Sequence, residues 1–521
     1  MVRRGVIGVC IALAIGVFAG GARAATVIVV TGRGWGHGVG MGQWGARGYA
    51  QHGWDWRRIL AHYYPGTKLG TTGNVTVRVL LGASQPAVDV GCPKGMRVGD
   101  ATGRTWRLRP RSYRITAAMR VPHHRLRSPV AFYCDGAPIE WDGGAYHGVL
   151  VVRTGGGKLS IVNAVDLEDY VRDVVGGEMP FRWPLDALEA QAVAARSYAL
   201  ATLRPGRRFD LFVDDRSQVY GGVGAETTRT FEAADRTAGR IVTYGGRVAT
   251  TYFFSTSGGR TADVRDVWPK LGAVPYLRSV ADPYDAASPV HTWGPFALSA
   301  QVLAARLRVP FGPLRVVRDG SGRVAEVDVG SIRISGDRIR RLLHLRSTWF
   351  SLGELSLTGA QATVAYGRKV TLAVRVHGVG LAALQRRRGD GDWVTLRRVR
   401  TGGHVTVEPS AYTIYRLAAA RVRGPEVGVA VAPVLHVRVQ TVSALAGTVL
   451  PRSSGAVTVW RFGAGGWRVV ARPRLDAHGA FRSPVRLRAG GYRVTVGADE
   501  RYAATARTVH VTSRLLASLR H

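Results

Sequence analysis

The pattern of apolar and polar positions changes character several times along the chain. Residues 5–20 are an unbroken apolar run behind Arg3 and Arg4, followed by Ala22-Arg23-Ala24. A positive start, a short apolar stretch and a small-x-small site form the pattern of a removable export signal. A bilayer span needs about 20 apolar residues, so cleavage near Ala25 is expected over retention as an anchor. Thr26 to Val30 then reads as a short buried strand. From Gly32 to Gly40 every second residue is glycine. A helix is disfavoured there by about 1 kcal/mol per glycine relative to alanine, and such density suits close approach of the backbone to something else. Helices are expected at 41–51 and 54–63, the second stopped by Pro65-Gly66.

Between 73 and 152 the pattern is that of short strands broken by glycine and proline, with Val75 to Leu81 alternating. Residues 185–203 carry Ala187, Leu188, Gln191, Ala192, Ala195 and Ala199 at helical spacing. Pro184 suits the first turn, and Asp186 and Glu189 favour the helix dipole. The stretch 294–352 is mixed, with a strand expected at 323–329 and a helix at 336–345. From Leu355 onward the period is two throughout, and a weak repeat emerges. Leu384-Gln385 followed by Trp393 corresponds to Val459-Trp460 followed by Trp467, and Tyr415-Arg416 to Tyr492-Arg493. The spacing predicts two Ig-like modules, 356–435 and 436–521, with one larger β domain as the alternative.

Length and charge narrow this picture. A chain of 521 residues divides into three or four domains at ordinary domain size. The formal charge is +37, and only five of the 72 basic residues are lysine. Such a chain is drawn to polyanions. No zinc finger, RNP-type motif or basic helix with interleaved aromatics is present. With an export signal in front, nucleic acid is not expected as a partner. Cys10 would leave with the signal, leaving Cys92 and Cys134: a disulfide in an exported chain, or two buried thiols.

The chemistry centres on Gly176-Gly177-Glu178-Met179-Pro180, read as a bend ahead of the alanine-rich helix. A carboxylate on such a bend is well placed to face a cleft; a solvent-exposed or capping role is the alternative. Glu168, Asp169 and Asp173 read as surface or helix-cap acids. Three further stretches offer hydroxyls, amides and aromatic faces suited to sugars: 214–222 with Gln218 and Tyr220, 251–261 with Ser255 and Ser257, and 276–293 ending in His291-Thr292-Trp293. A serine nucleophile with His291 as base is conceivable, but no Gly-x-Ser-x-Gly elbow is present.

The run Glu178-Met179-Pro180, Trp183-Pro184 and Ala190-Gln191-Ala192-Val193-Ala194-Ala195-Arg196-Ser197-Tyr198-Ala199 resembles the signature of the SpoIID/LytB family. So do Gln218-Val219-Tyr220-Gly221-Gly222, Phe253 to Gly259, Trp268, Gly36-His37-Gly38-Val39-Gly40-Met41 with Gln43-Trp44-Gly45-Ala46, and Tyr63-Tyr64-Pro65-Gly66-Thr67. The resemblance spans 32–67 and 145–352. It implies an α+β catalytic domain at 73–355 with a β-rich insertion, and a glycine-rich segment, 25–72, packing on it. It implies a peptidoglycan lytic transglycosylase with Glu178 as acid and base, and no cofactor. The substrate contacts it suggests are His37, Gln43, Arg196, Tyr198, Gln218, Tyr220, Ser255 and Ser257. Implied partners are glycan strands, anionic wall polymers and an amidase, since some relatives are modifiers of amidases. A non-catalytic wall-binding role is the alternative. Two departures stand out. The glycine-rich segment usually closes the domain, whereas here it opens the mature chain. Some members bind metal through Cys and His ahead of Gln-Val-Tyr; this chain has Val213 and Ser217 there and no cysteine, so no metal is expected.

Overall fold

The computed structural model describes residues 26–359 and 363–519. The expected export signal, with Cys10, lies outside them. The chain is strongly β-rich and built from many small sheets. The described residues form two compact units: one comprises Thr31–Gly294 and Gly312–Phe350, the other residues 26–30, Pro295–Phe311 and the described residues from Ser351 on. The apolar strand that opens the described chain joins a sheet with Phe350–Gly359, Val370–His377 and Gly403–Val407. Val29 is accordingly buried among Leu355, Leu372 and Leu417.

In the first unit the main sheet has seven strands, in the order Leu211–Phe212, Thr76–Gln85, Lys158–Asp166, Val149–Gly155, Val130–Cys134, Met96–Gly99, Thr105–Leu108. Leu211–Phe212 alone runs parallel to its neighbour. Cys92 and Cys134 form a disulfide. Among its helices, in chain order, are α1 Gln43–Gln51, α2 Trp56–Tyr63, α3 Leu167–Glu178, α4 Leu185–Ala201 and α5 Thr228–Arg236. All of Ala187 to Ser197 is buried, which makes α4 a helix enclosed on every side. It packs against α1, α2, α3, α5 and the strand Arg240–Tyr244. Its alanines permit that close approach.

The glycine-rich segment is woven into this unit. Met41–Gly42 pairs in parallel with Phe253–Phe254, and Trp35 and Val39 form single bridges with Thr256 and Ala262. Gly40 shows why the density is required: its φ is +78°, and a Cβ there would collide with the Tyr252 carbonyl. The expected helix start at 41 is thereby displaced to Gln43, because Met41 and Gly42 are held as strand.

In the second unit the repeat is visible in the register. Ala382–Arg387 lies between Val394–Val399 and Thr413–Ala419, and Val457–Gly463 between Gly466–Ala471 and Gly490–Val496. Gln385 faces Arg416, and Trp460 faces Arg493. Arg416 lies over Trp393 at 3.6 Å and Arg493 over Trp467 at 4.5 Å. The same cation–π pair thus recurs at matching positions.

Candidate functional site

Glu178 is the last residue of α3, not part of a bend after it. Gly176 and Gly177 sit inside the helix for a reason the sequence conceals. A Cβ on either would strike a backbone carbonyl, that of Ala225 or of Val219. The glycines let the segment 219–225 lie directly on the helix, and the same approach brings the Val219 N–H to Glu178 Oε1 at 2.7 Å. From α1, Gln43 donates through Nε2 to Glu178 Oε2 at 3.1 Å. The acid is therefore gripped by two donors from segments far apart in sequence.

Burial raises the Glu178 pKa above the ordinary carboxylate value; the bonds from Val219 and Gln43 oppose the rise, and nearby Asp215 adds to it. The position at a helix C-terminus acts in the same direction as burial, because the dipole there disfavours an anion.

The half-buried carboxyl opens into a cleft of about 680 Å³. Its walls include Trp35, His37, Tyr198, Tyr252, Phe254 and Trp268, with Ser255, Asp215, Arg216 and Arg340 as polar groups. Trp35 is half exposed at 50% and has Arg346 over its ring at 4.9 Å. Tyr252 and Trp268 lie 4.8 Å apart between ring centres, and His37 lies 5.0 Å from Trp268. Such faces suit stacking on sugar rings. His37 Nδ1 accepts from the Val39 N–H at 3.1 Å. Desolvation lowers its pKa to about 4, with Arg340 and Arg323 acting in the same direction, so the ring is neutral at ordinary pH.

Of the expected substrate contacts, His37, Gln43, Tyr198 and Ser255 line this cleft with Glu178. Arg196, Gln218, Tyr220 and Ser257 do not; all four are buried. The Arg196 guanidinium donates to both Glu168 oxygens at 2.9 and 2.7 Å and to the carbonyl of Arg240. It joins α4 to the start of α3, which also makes Glu168 more than a surface acid. Gln218 donates to Tyr170 Oη, and Tyr220 to Asn163 Oδ1 at 2.6 Å. Ser257 donates to Asp285 Oδ2 at 2.9 Å, while His291 Nδ1 meets Asp285 Oδ1 at 2.7 Å. The aspartate stands between Ser257 and His291, and the Ser255 hydroxyl meets Thr256 Oγ1 at 3.2 Å, so His291 is hydrogen-bonded to neither serine and the geometry of a serine–histidine pair is absent here. Asp173, expected at the surface, is fully buried.

Trp35, Tyr252, Asp215 and Arg340 entered the cleft without being singled out in the sequence. For Trp35 and Tyr252 the signal was present, as aromatics inside the motif segments. Arg340 lies on an ordinary amphipathic helix, and nothing local marks it. The segment 213–217 has no thiolate to offer a metal: Ser217 Oγ accepts from the Phe212 N–H, and both cysteines of the described residues are in the disulfide.

A family model described as stage II sporulation protein, SpoIID, matches residues 155–244. Stage II sporulation protein D of Bacillus amyloliquefaciens is 30% identical over 245 residues, covering 42% of this chain and 67% of that protein. The chain belongs to the SpoIID/LytB family. An uncharacterized protein of Brachyspira hyodysenteriae is 38% identical over 138 residues, 26% of this chain and 37% of that one. The amidase enhancer of Bacillus subtilis is 35% identical over 117 residues, 22% of this chain but 15% of its own length. Among solved structures, a two-domain fibronectin type-III segment of chicken tenascin aligns over 30% of this chain and 97% of its own, at 14% identity and a TM-score of 0.21. That likeness is too slight to bear on the fold.

Proposed function

We propose that this SpoIID/LytB protein is an exported, cell-wall-remodelling lytic transglycosylase that cleaves peptidoglycan glycan strands. The observation that carries the reading is a single carboxyl, Glu178, held by two hydrogen bonds at an aromatic-walled cleft and inclined to keep its proton. In this chemistry the acid protonates the glycosidic oxygen between MurNAc and GlcNAc. The carboxylate left behind takes the proton of the C6 hydroxyl of the same MurNAc, which attacks the anomeric carbon and gives a 1,6-anhydro sugar. One carboxyl serves both steps. Tyr252, Trp268 and Trp35 would stack on the rings, and neutral His37, held by the backbone of Val39 and Phe253, would complete the wall without repelling a cationic transition state. The repeated β strands from 356 onward are read as two Ig-like modules, spacing or adhering the enzyme to anionic wall polymers through the basic surface.

Two other readings have a specific observation behind them. Asp215 lines the same cleft, so ordinary two-carboxylate hydrolysis competes on chemical grounds. The likeness to an amidase enhancer favours a non-catalytic partner of an amidase. Mass spectrometry of products from intact and peptide-stripped peptidoglycan separates all three. Anhydro-MurNAc ends from the wild type, reduced about 10²–10⁴-fold in Glu178→Gln, support the proposal. Reducing MurNAc ends point to hydrolysis. An absence of products from both proteins, with both sedimenting with the wall, points to the amidase partner.

A further inference from the structure

On the far side of the segment that contacts Glu178, a second group of ionisable side chains comes together. His147 follows the strand Gly144–Tyr146, Asp173 lies in the middle of α3, and Glu226 follows the short turn Gly222–Ala225. His147 Nε2 stands 3.2 Å from Glu226 Oε1, and one donor atom from each of the three residues lies within 4.8 Å of the others. Asp173 is 0% exposed, and neither of its oxygens has a hydrogen-bond partner. Tyr220 and Glu226 both lie close enough to Asp173 to act on it, but the Tyr220 O–H is turned to Asn163 Oδ1.

An ionised carboxylate buried in this way costs several kcal/mol unless a positive charge or a proton compensates it. In a chain with 72 Lys and Arg against 35 Asp and Glu, a guanidinium would be the commonplace answer. Among the described residues no guanidinium is paired with Asp173: the neighbouring Arg172 is committed to Asp169 and Asp235, and the main influences on Asp173 come from acids, a tyrosine and burial.

We propose that His147, Asp173 and Glu226 bind a divalent transition-metal cation, with Zn²⁺ the best match to one imidazole and two carboxylates. Zinc takes such ligands at about 2.0–2.2 Å in tetrahedral sites, which sets the donor atoms roughly 3.3 Å apart. His147 and Glu226 already stand near that separation, and Asp173, within 4.8 Å of both, closes on them by up to about 1.5 Å. Three protein ligands leave a fourth position for water, and the site opens towards solvent on the side of His147 and Glu226, whose side chains are 30% and 17% exposed. The His147 backbone is fixed by Asn163, which donates to its carbonyl at 2.9 Å. The cation would clasp the turn Gly222–Ala225 to α3, and that turn follows directly on the residues that give Glu178 its Val219 N–H. This proposal does not depend on the reaction assigned to Glu178.

The test is metal content and stability in the full mature chain. Protein stripped with a chelator is titrated with Zn²⁺ alone, followed by elemental analysis after desalting and by thermal unfolding. The expected result is about one Zn²⁺ per chain, with a rise of a few degrees in the unfolding midpoint. His147→Ala and Glu226→Gln, both at partly exposed positions, bind at least about tenfold more weakly and lose the shift. Glu178→Gln retains it. The proposal is overturned if stripped wild type takes up no zinc, or if the two ligand variants bind it as well as wild type does. It is equally overturned if stability at this site follows pH alone with no response to the cation, since a proton shared between Asp173 and Glu226 then does the work.

Discussion

The grip of Gln43 on Glu178 can be converted into a number. A hydrogen bond to an ionised group contributes about 1.5–3 kcal/mol, and one pKa unit corresponds to about 1.36 kcal/mol. Removing a donor that favours the carboxylate raises its pKa by about 1–2 units on that basis. The bond is 3.1 Å long and the carboxyl is partly open to water, which would replace some of the lost interaction. The Val219 N–H, at 2.7 Å, remains. Gln43→Leu, which keeps the side-chain volume at the start of α1, should therefore raise the Glu178 pKa by about one unit. The assay is a carbon-NMR titration of chain labelled at the glutamate carboxyls, with Glu178→Gln identifying the signal by its loss. If the proposed cleavage is present, the alkaline limb of its pH profile should move upward by the same amount, because the protonated acid persists to higher pH. An unchanged or lowered pKa in Gln43→Leu would refute the electrostatic account of the site.

Three further outcomes are expected. Glu168→Ala leaves the Arg196 charge, which is 0% exposed, without its carboxylate, and should cost about 3 kcal/mol, the lower end for a broken buried pair, because Glu168 itself is 24% exposed; urea unfolding measures it. Gly176→Ala places a methyl group against the Ala225 carbonyl and should destabilise by about 1–3 kcal/mol while lifting Val219 from Glu178, so unchanged stability and activity would contradict the packing role. His37, with its pKa lowered to about 4 from 6.5, favours the folded state fully above 6.5 and loses that contribution as pH falls towards 4, up to roughly 3 kcal/mol; acid unfolding should be less steep in His37→Gln, and the wild-type ring signals should not titrate between about pH 6 and 8.

Much of this was readable in the residues, and what was not had local causes. The alanine-rich helix is stated by its spacing, and α4 occupies 185–201 against 185–203 expected. The strand repeat beyond 355 is stated by alternation and recurs in the pairing register. Glu178 was singled out on a bend, whereas it ends α3. Two adjacent glycines signal a break when read locally, whereas here they answer to the distant backbone of Val219 and Ala225. The polar motif residues failed in the opposite sense. Arg196, Gln218, Tyr220 and Ser257 are types that commonly contact ligands, and only tertiary packing reveals that each is spent on an interior partner. Asp173 was misjudged because the sequence neighbours of an acid do not tell which face of its helix is buried.

The grip on Glu178 has a practical corollary for anyone who trims the protein. The stretch 155–244 matched by the family model contains Glu178 and Val219 but neither Gln43 nor His37, Tyr252 or Trp268. A fragment cut to those limits would carry the acid with one tether instead of two and with most of its aromatic enclosure gone. Exposed to bulk water, the group should relax to ordinary glutamate acidity. The smallest piece that keeps this cleft whole is therefore considerably larger than the matched stretch, and a failed assay of such a fragment would say nothing about the intact protein.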